Sequence, residues 1–175
     1  MTLTNRVPIL LFLPLLFFGA GILSAGLAIT AAKSIAPEPI TLLDAVAMGN
    51  DEAIFRMISE GYDPGLPGVL ESPVFHWRRG DITSPILVAI GGGDINKVAY
   101  MARHTQRIAD SPNDQALCVV ARYGHSNVAR FLMKMGAPVV PKNGCGKLRR
   151  PEDVAAKYGS GSLAEELRRY RTGTN

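Results

Sequence analysis

The segment from Val7 to Ala32 contains no charged side chain in 26 consecutive positions. At about 1.5 Å per residue, a helix of this length crosses a hydrocarbon core of roughly 30 Å, which needs about 20 residues. A surface helix of a soluble domain keeps a polar face, and this run has none. The sequence therefore predicts a single transmembrane helix over residues 7–32, preceded by a short head, residues 1–6.

A cleaved export signal is the alternative interpretation of the same segment. Arg6 supplies the basic start, and small residues precede two acceptable cleavage points, after Ala25 and after Ala32. The apolar run continues past Ala25, beyond the core of about 7–15 residues that a signal needs, and this favours an uncleaved anchor. The short basic head predicts a cytoplasmic N-terminus and a single-pass protein whose bulk lies on the outer side, the periplasm in a bacterium. Cleavage would instead release a secreted or periplasmic protein.

The rest of the chain, after a linker over residues 33–39, is long enough for one domain with its own core. Residues 34–175 carry 17 Lys and Arg against 15 Asp and Glu, a near balance that argues against nucleic-acid binding. From Lys142 onward, however, eight basic residues face four acidic ones. This excess is interpreted as a solvated face or, alternatively, as a docking patch for an acidic partner or anionic lipid heads.

Four stretches resemble one another when they are aligned without gaps on a glycine. The stretches are 40–64, 84–105, 115–139 and 150–170, aligned on Gly49, Gly93, Gly124 and Gly159. Small residues recur in the first half of each stretch, and apolar residues recur at spacings of three and four in the second half. Each stretch therefore predicts a short helix, a glycine turn and a longer helix.

These units resemble ankyrin repeats. The family's T-P-L-H-x-A-A-x-x-G-H pattern is similar to Ser84 through Asp94, and its L-L-L-x-x-G-A-D-V ending is similar to Phe131 through Val139. The resemblance covers residues 40–170, before a short tail at 171–175. It implies an all-α fold, an ankyrin-type helical repeat solenoid of about four repeats preceded by the single transmembrane helix. It also implies a concave protein-binding face with no chemistry of its own.

The sequence departs from the family pattern in two ways. The family's histidine in the first helix is replaced by Leu43, Leu87, Cys118 and Asp153. The turn glycines are 44, 31 and 35 residues apart, against about 33 in the family. The first connection therefore carries extra residues, which form an inserted loop over 65–83.

The inserted loop contains an aromatic and basic cluster with the only tryptophan of the protein. The cluster is Phe75, His76, Trp77, Arg78 and Arg79. Because Trp and Arg dominate interface energetics and long loops often carry function, this cluster is the candidate protein-binding site. The alternative is structural: Val74, Phe75 and Trp77 fold back onto the first two repeats and leave both arginines in water.

No catalytic or metal-binding pattern stands out in the sequence. His76, His104 and His125 are scattered, without an H-x-x-x-H or C-x-x-C pair, so neither a metal site nor a cofactor is predicted. Gly91-Gly92-Gly93 lacks the Lys-Ser or Lys-Thr of a phosphate loop and is typical of a helix end. The sequence therefore predicts a protein that is not an enzyme, with a structural role for His125.

The two cysteines leave two alternatives open. Cys118 begins the first helix of the third unit, and Cys145 lies in the loop before the fourth. Such positions can be neighbours in stacked repeats, and an oxidising compartment would permit a disulfide between them. The alternative is two separate thiols, with Cys118 buried as a small apolar residue.

The leading functional prediction is a membrane-tethered protein–protein interaction module, a scaffold or adaptor, which binds a protein partner and contacts the membrane through residues 7–32. One alternative is an accessory subunit of a larger membrane complex, in which Gly19, Gly21, Ala25 and Gly26 let the apolar helix pack closely on other spans. The less favoured alternative is a ligand-binding or enzymatic domain built on helical hairpins. It would need a pocket with perturbed ionisable groups.

Overall fold

The computed structural model describes residues 41–110 and 113–173. The chain divides into two units, residues 1–36 and 37–175, and every described residue belongs to the second unit. The predicted transmembrane or signal segment, 7–32, lies outside the described residues, as do the predicted head and linker.

Eight α-helices form four consecutive pairs within the described residues. The pairs are α1 (Leu42–Met48) with α2 (Asp51–Ser59), α3 (Pro85–Gly92) with α4 (Ile95–Arg103), α5 (Ala116–Tyr123) with α6 (Ser126–Lys134), and α7 (Pro151–Lys157) with α8 (Gly161–Thr172). A 3-10 turn, Asn113–Gln115, leads into α5. The first helices pack one on the next, α1 on α3, α3 on α5 and α5 on α7, so they share one continuous core.

Local signals in the sequence explain where these helices begin and end. The side chains of Thr41 and Ser84 accept the backbone N–H groups of Asp44 and Leu87, which caps α1 and α3. The first three pairs turn at the aligned glycines, which adopt the left-handed conformation that glycine accepts cheaply. In the fourth pair, α7 ends at Lys157 and Tyr158 is its C-cap, one residue before the aligned glycine.

Small side chains allow the first helices to approach closely. Ala45, Ala89, Ala121 and Ala155 are all buried where neighbouring first helices meet. The second helices contribute larger apolar side chains to the same core: Ile54, Val98, Val128 and Leu132 are all fully buried. A core packed at this density has no space for a larger or charged group at the alanine positions.

The inserted loop forms a short antiparallel sheet. Strand β1 (Gly68–Val69) pairs with β2 (Ile82–Thr83), with Gly68 opposite Thr83 and Val69 opposite Ile82. Leu70 continues the pairing, since its N–H donates to the Asp81 carbonyl at 3.0 Å and its own carbonyl accepts from Gly80 at 2.8 Å. The Leu70 side chain is fully buried and anchors the loop in the core.

The predicted fold class is wrong. The sequence indicated an all-α, ankyrin-type solenoid of about four repeats behind a single transmembrane helix. The described residues contain a two-stranded sheet, and the structure does not show a helical repeat solenoid. Within the same residues, no helix combines the length and apolar character that a membrane span requires.

The physical reason lies in what periodicity encodes. Residues 65–83 are rich in proline and glycine, which do not continue a helix, so the backbone N–H and C=O groups pair across the loop as a sheet. Apolar spacing predicts which face of each helix is buried. It does not specify how successive helical pairs are arranged.

Candidate protein-binding surface

The inserted loop carries a tight turn, residues 74–77, which we call the first turn. The backbones of Val74 and Trp77 exchange two hydrogen bonds, of 3.2 and 3.0 Å, so Phe75 and His76 form its tip. Phe75 has a φ of 54°, in the left-handed region. That conformation costs a residue with a side chain about 1–2 kcal/mol and persists only where the surroundings hold it.

Two glycines of α3 hold the tip of the first turn. A Cβ atom placed on Gly91 would lie 3.1 Å from Cδ2 of Phe75 and 3.2 Å from Cζ3 of Trp77. A Cβ atom on Gly92 would lie 3.4 Å from Cζ of Phe75. The missing side chains of Gly91 and Gly92 therefore create the flat surface on which both rings pack. Only Gly93 of this triplet acts as the helix end that the sequence predicted.

The structure divides the five predicted contact residues into an anchor and an exposed group. The Trp77 side chain is only 9% exposed, whereas Phe75 is 53% exposed. His76, Arg78 and Arg79 are exposed, and Arg79 approaches Glu71 at 3.8 Å, an exposed ion pair of little energetic value. Trp77 therefore fixes the turn, and Phe75 and His76 are presented to solvent.

A hydrogen bond joins the first turn to α5. Nδ1 of His76 and the hydroxyl oxygen of Tyr123 lie 2.8 Å apart, and the His76 ring packs on the Trp77 ring with 3.9 Å between ring centres. Burial, and then the positive charge of Arg122, lower the pKa of His76 to about 4, while Asp81 acts in the opposite direction. His76 is therefore neutral at pH 7 and acts as a hydrogen-bonding group.

Large side chains continue from the tip along the ends of the first helices. We call Met48, Phe75, Tyr123 and Tyr158 the apolar strip. Met48 and Phe75 line one cavity of about 280 Å³, the rings of Phe75 and Tyr123 are 5.6 Å apart, and the guanidinium of Arg122 lies 4.9 Å from the centre of the Tyr158 ring. Met48 and Tyr158 are 49% and 46% exposed. Three members of the strip are therefore accessible, and Tyr123 is half-buried beside Phe75.

A second tight turn, residues 145–148, faces the same region. Cys145 and Leu148 exchange backbone hydrogen bonds of 2.7 and 3.4 Å. The Cys145 and Cys118 sulfurs are joined in a disulfide, which fastens this second turn to α5. Between the two turns lies a cavity of about 240 Å³, which we call the disulfide pocket. Its lining residues are His76, Gln115, Cys118, Val119, Arg122, Cys145, Gly146 and Val154.

A hydrogen bond from His125 to the end of α3, which we call the brace, also supports the strip. Nε2 of His125, for which the sequence predicted a structural role, donates to the Gly91 carbonyl at 3.0 Å. A Cβ atom on Gly93 would lie within 2.6 Å of the His125 ring, so this contact also requires glycine there. The brace ties the turn between α5 and α6 to the end of α3. It thereby stabilises the helix end that carries the first turn.

Two other surfaces of the domain have less to offer a partner. A cavity of about 570 Å³ lies beside Asp63 and Arg107, but their charges already pair at 3.0 Å. An apolar patch surrounds Leu66, which is 56% exposed, close to where the described residues begin. Within the described ranges, His, Cys, Asp and Glu side chains form no group of three or more that could hold a metal ion.

The sequence did not single out Met48, Tyr123 or Tyr158. A signal for them was present, because each precedes one of the four aligned glycines. At the same position the second unit has Gly92, and there Phe75 of the inserted loop supplies the missing ring.

No protein-family profile matches this chain, and no curated protein sequence matches it. The resemblance to ankyrin repeats therefore stays a prediction from the residues quoted for it.

Proposed function

We propose that this protein is a protein–protein interaction module held at a membrane by residues 7–32, with the apolar strip as its contact surface. The observation that carries the proposal is Phe75. Its aromatic ring is half exposed although its backbone is in a strained, left-handed conformation. The packing of the Phe75 and Trp77 rings on Gly91 holds that conformation. Strain of this kind concentrates at functional positions.

The composition of the strip supports the same proposal. Aromatic side chains bury large areas and are enriched among the residues that dominate interface energies. A group of exposed large side chains on one side of a domain, here Met48, Phe75 and Tyr158, is also unusual on a monomer unless a partner covers it. The strip is held rigid by Trp77, by the His76–Tyr123 hydrogen bond and by the disulfide behind it. A preorganised surface loses less entropy when it binds.

The proposed location follows from the sequence and agrees with the cysteine chemistry. A short head with Arg6 favours a cytoplasmic N-terminus and an exported module. Disulfides persist in oxidising compartments such as the periplasm and are rare in the cytosol. The bond between Cys118 and Cys145 supports export, whether residues 7–32 remain as an anchor or are removed as a signal.

Site-specific photo-crosslinking in native membranes tests the proposed function. A photoreactive phenylalanine analogue replaces Phe75 in one variant, Leu66 in a second and Phe55 in a third. Phe55 is a matched control, because it is 43% exposed but lies on α2, where its ring packs on Tyr100. We expect a discrete protein adduct from position 75 alone. An adduct from position 66 or 55 without one from 75, or no adduct at any position, contradicts the proposal.

A further inference from the structure

We propose that the partner segment is an acidic peptide, which places an apolar side chain on the strip and its carboxylates on a basic surface beside the disulfide pocket. This inference rests on the proposed function, because it assigns a chemical class to the partner of the same surface. The basic surface consists of Arg122, Lys142, Lys147 and Arg149.

Two adjoining cavities form this basic surface. The disulfide pocket, of about 240 Å³, contains Arg122, and a neighbouring cavity of about 450 Å³ contains Lys142, Lys147 and Arg149. Gly146, at the tip of the second turn, lines both. No Asp or Glu is among the lining residues of either cavity. The second turn therefore separates two cavities with basic side chains, and both are open to the same segment of a partner.

These four basic residues have no acidic partner within the described ranges. Several cations elsewhere in the domain do pair: Lys97 with Asp51 at 2.6 Å, Arg130 with Glu166 at 2.7 Å and Arg171 with Glu152 at 2.7 Å. None of the ion pairs between described residues includes a member of the basic surface. Its positive charge is therefore available to carboxylates from outside the chain.

Two buried acidic residues near the basic surface, Asp114 and Glu152, bond within the fold and do not pair with it. Asp114 is buried and accepts the backbone N–H of Lys142 at 3.0 Å, so it positions the loop without pairing with the ammonium group. Glu152, at the start of α7, is buried and pairs with Arg171. Both carboxylates are used inside the fold.

The disulfide pocket has the chemistry to hold one carboxylate. Its volume corresponds to several water molecules at about 30 Å³ each, which is room for an acidic side chain. The Arg122 guanidinium stacks over the Tyr158 ring, an orientation that keeps it at the strip. Gln115 and the neutral His76 add hydrogen-bonding groups without adding charge. A carboxylate there would meet one full positive charge and polar neighbours.

The geometry favours a peptide over a lipid surface. Anionic membranes attract clusters of basic residues through their surface potential, which requires no pockets. Here the charges line two concave cavities, and the disulfide pocket, through His76, is contiguous with the exposed Phe75. An extended peptide can place alternate residues in such pockets and on such rings.

Binding of two defined peptides to the full chain in detergent micelles tests this inference. The first peptide has the sequence Glu-Glu-Phe-Glu-Glu with a fluorescent label, and the second replaces each Glu by Gln. Fluorescence anisotropy gives the dissociation constants at low and high salt. The pocket variant is Arg122→Gln with Lys147→Gln, and the matched control removes two exposed basic residues elsewhere, Arg103→Gln with Lys134→Gln. Vesicles of phosphatidylcholine, with or without phosphatidylglycerol, form the lipid arm.

We expect the acidic peptide to bind more weakly at high salt and at least about fivefold more weakly to the pocket variant, with the control unchanged. Equal loss in both variants, equal binding of the Gln peptide, or no binding of either peptide overturns the inference. The inference is also overturned if the pocket variant loses binding to anionic vesicles but keeps its affinity for the acidic peptide. The position-75 crosslink is independent of these charges. An adduct there with no acidic preference leaves the proposed function standing and removes only the acidic partner.

Discussion

Removal of the disulfide is expected to cost the domain about 3.5 kcal/mol of unfolding free energy. The bond joins Cys118 to Cys145, a sequence separation of 27 residues, and the chain-entropy relation gives that value for a closed loop of this length at 25 °C. With an unfolding entropy of about 2.1 cal/mol/K per residue over the roughly 130 residues that the structure describes, the loss corresponds to a Tm lower by about 10–15 °C. The change of Cys118→Ala with Cys145→Ala tests this value, and reduced wild-type protein is the control that keeps both side chains.

Urea unfolding of the full chain in detergent micelles provides the assay. The single tryptophan, Trp77, reports on the first turn through its fluorescence, and far-ultraviolet circular dichroism reports on the helices. We expect both probes to show the same transition in oxidised wild type, and the same lower midpoint in the reduced protein and in the double variant. A difference below about 1 kcal/mol between oxidised and reduced protein would refute the reasoning that the bond constrains the second turn on α5.

Four further predictions follow from particular contacts and from the chain's N-terminal segment. Asn113→Ala should lower the free energy of unfolding in urea by about 3 kcal/mol. The reason is that buried Asn113 donates to the Gly65 and Arg107 carbonyls at 2.7 and 2.9 Å and accepts a hydrogen bond from Ser84. A loss under about 1 kcal/mol contradicts this. Ala121→Asp should lower the free energy of unfolding by about 4 kcal/mol or more, because a carboxylate has no partner or space in that packed core. A melting temperature within two degrees of wild type would contradict the burial of Ala121 between neighbouring first helices. The pKa of His76, lowered to about 4, makes the unfolded chain bind more protons than the folded one between pH 6.5 and 4, so stability falls as the pH drops through that window. Urea midpoints of wild type should therefore decline more steeply there than those of His76→Gln, and parallel curves contradict the lowered pKa of His76. Alkaline phosphatase fused after the last residue should be active, because the domain is expected to be exported, and a stable but inactive fusion contradicts that topology. For the unfused chain, a mass near 18.8 kDa indicates an uncleaved anchor, and a clearly smaller mass indicates a removed signal.

The positions of the helices could largely be predicted from the sequence. The helix starts at Thr41 and Ser84 and the ends at Gly49, Gly93 and Gly124 follow from capping and glycine chemistry, which operates within a few residues. The global fold class was not accessible. Apolar spacing leaves open how helical pairs are arranged and gives no account of pairing within residues 65–83. The fold prediction is wrong on these two points, the arrangement of the helical pairs and the sheet within the inserted loop.

The candidate surface was predictable only in part. The sequence pointed to the loop with Phe75 and Trp77 and kept a disulfide between Cys118 and Cys145 as one of two alternatives. It could not separate the buried ring from the exposed one, since that difference depends on the space above Gly91. Tyr123 joins the surface through contacts across 47 residues of sequence, which a pattern within one unit does not encode.

The most direct test of the central claim is the affinity of the crosslinked partner, once purified, for the wild type and for Phe75→Asn. Asparagine accepts the left-handed conformation, so this change removes the ring and retains the backbone of the first turn. We expect a dissociation constant about thirtyfold higher, the equivalent of 2 kcal/mol for an interface anchor, with no change in Phe55→Gln. Affinity within twofold of wild type for Phe75→Asn, with its Trp77 fluorescence unchanged, would contradict the assignment of the apolar strip as the protein-binding surface.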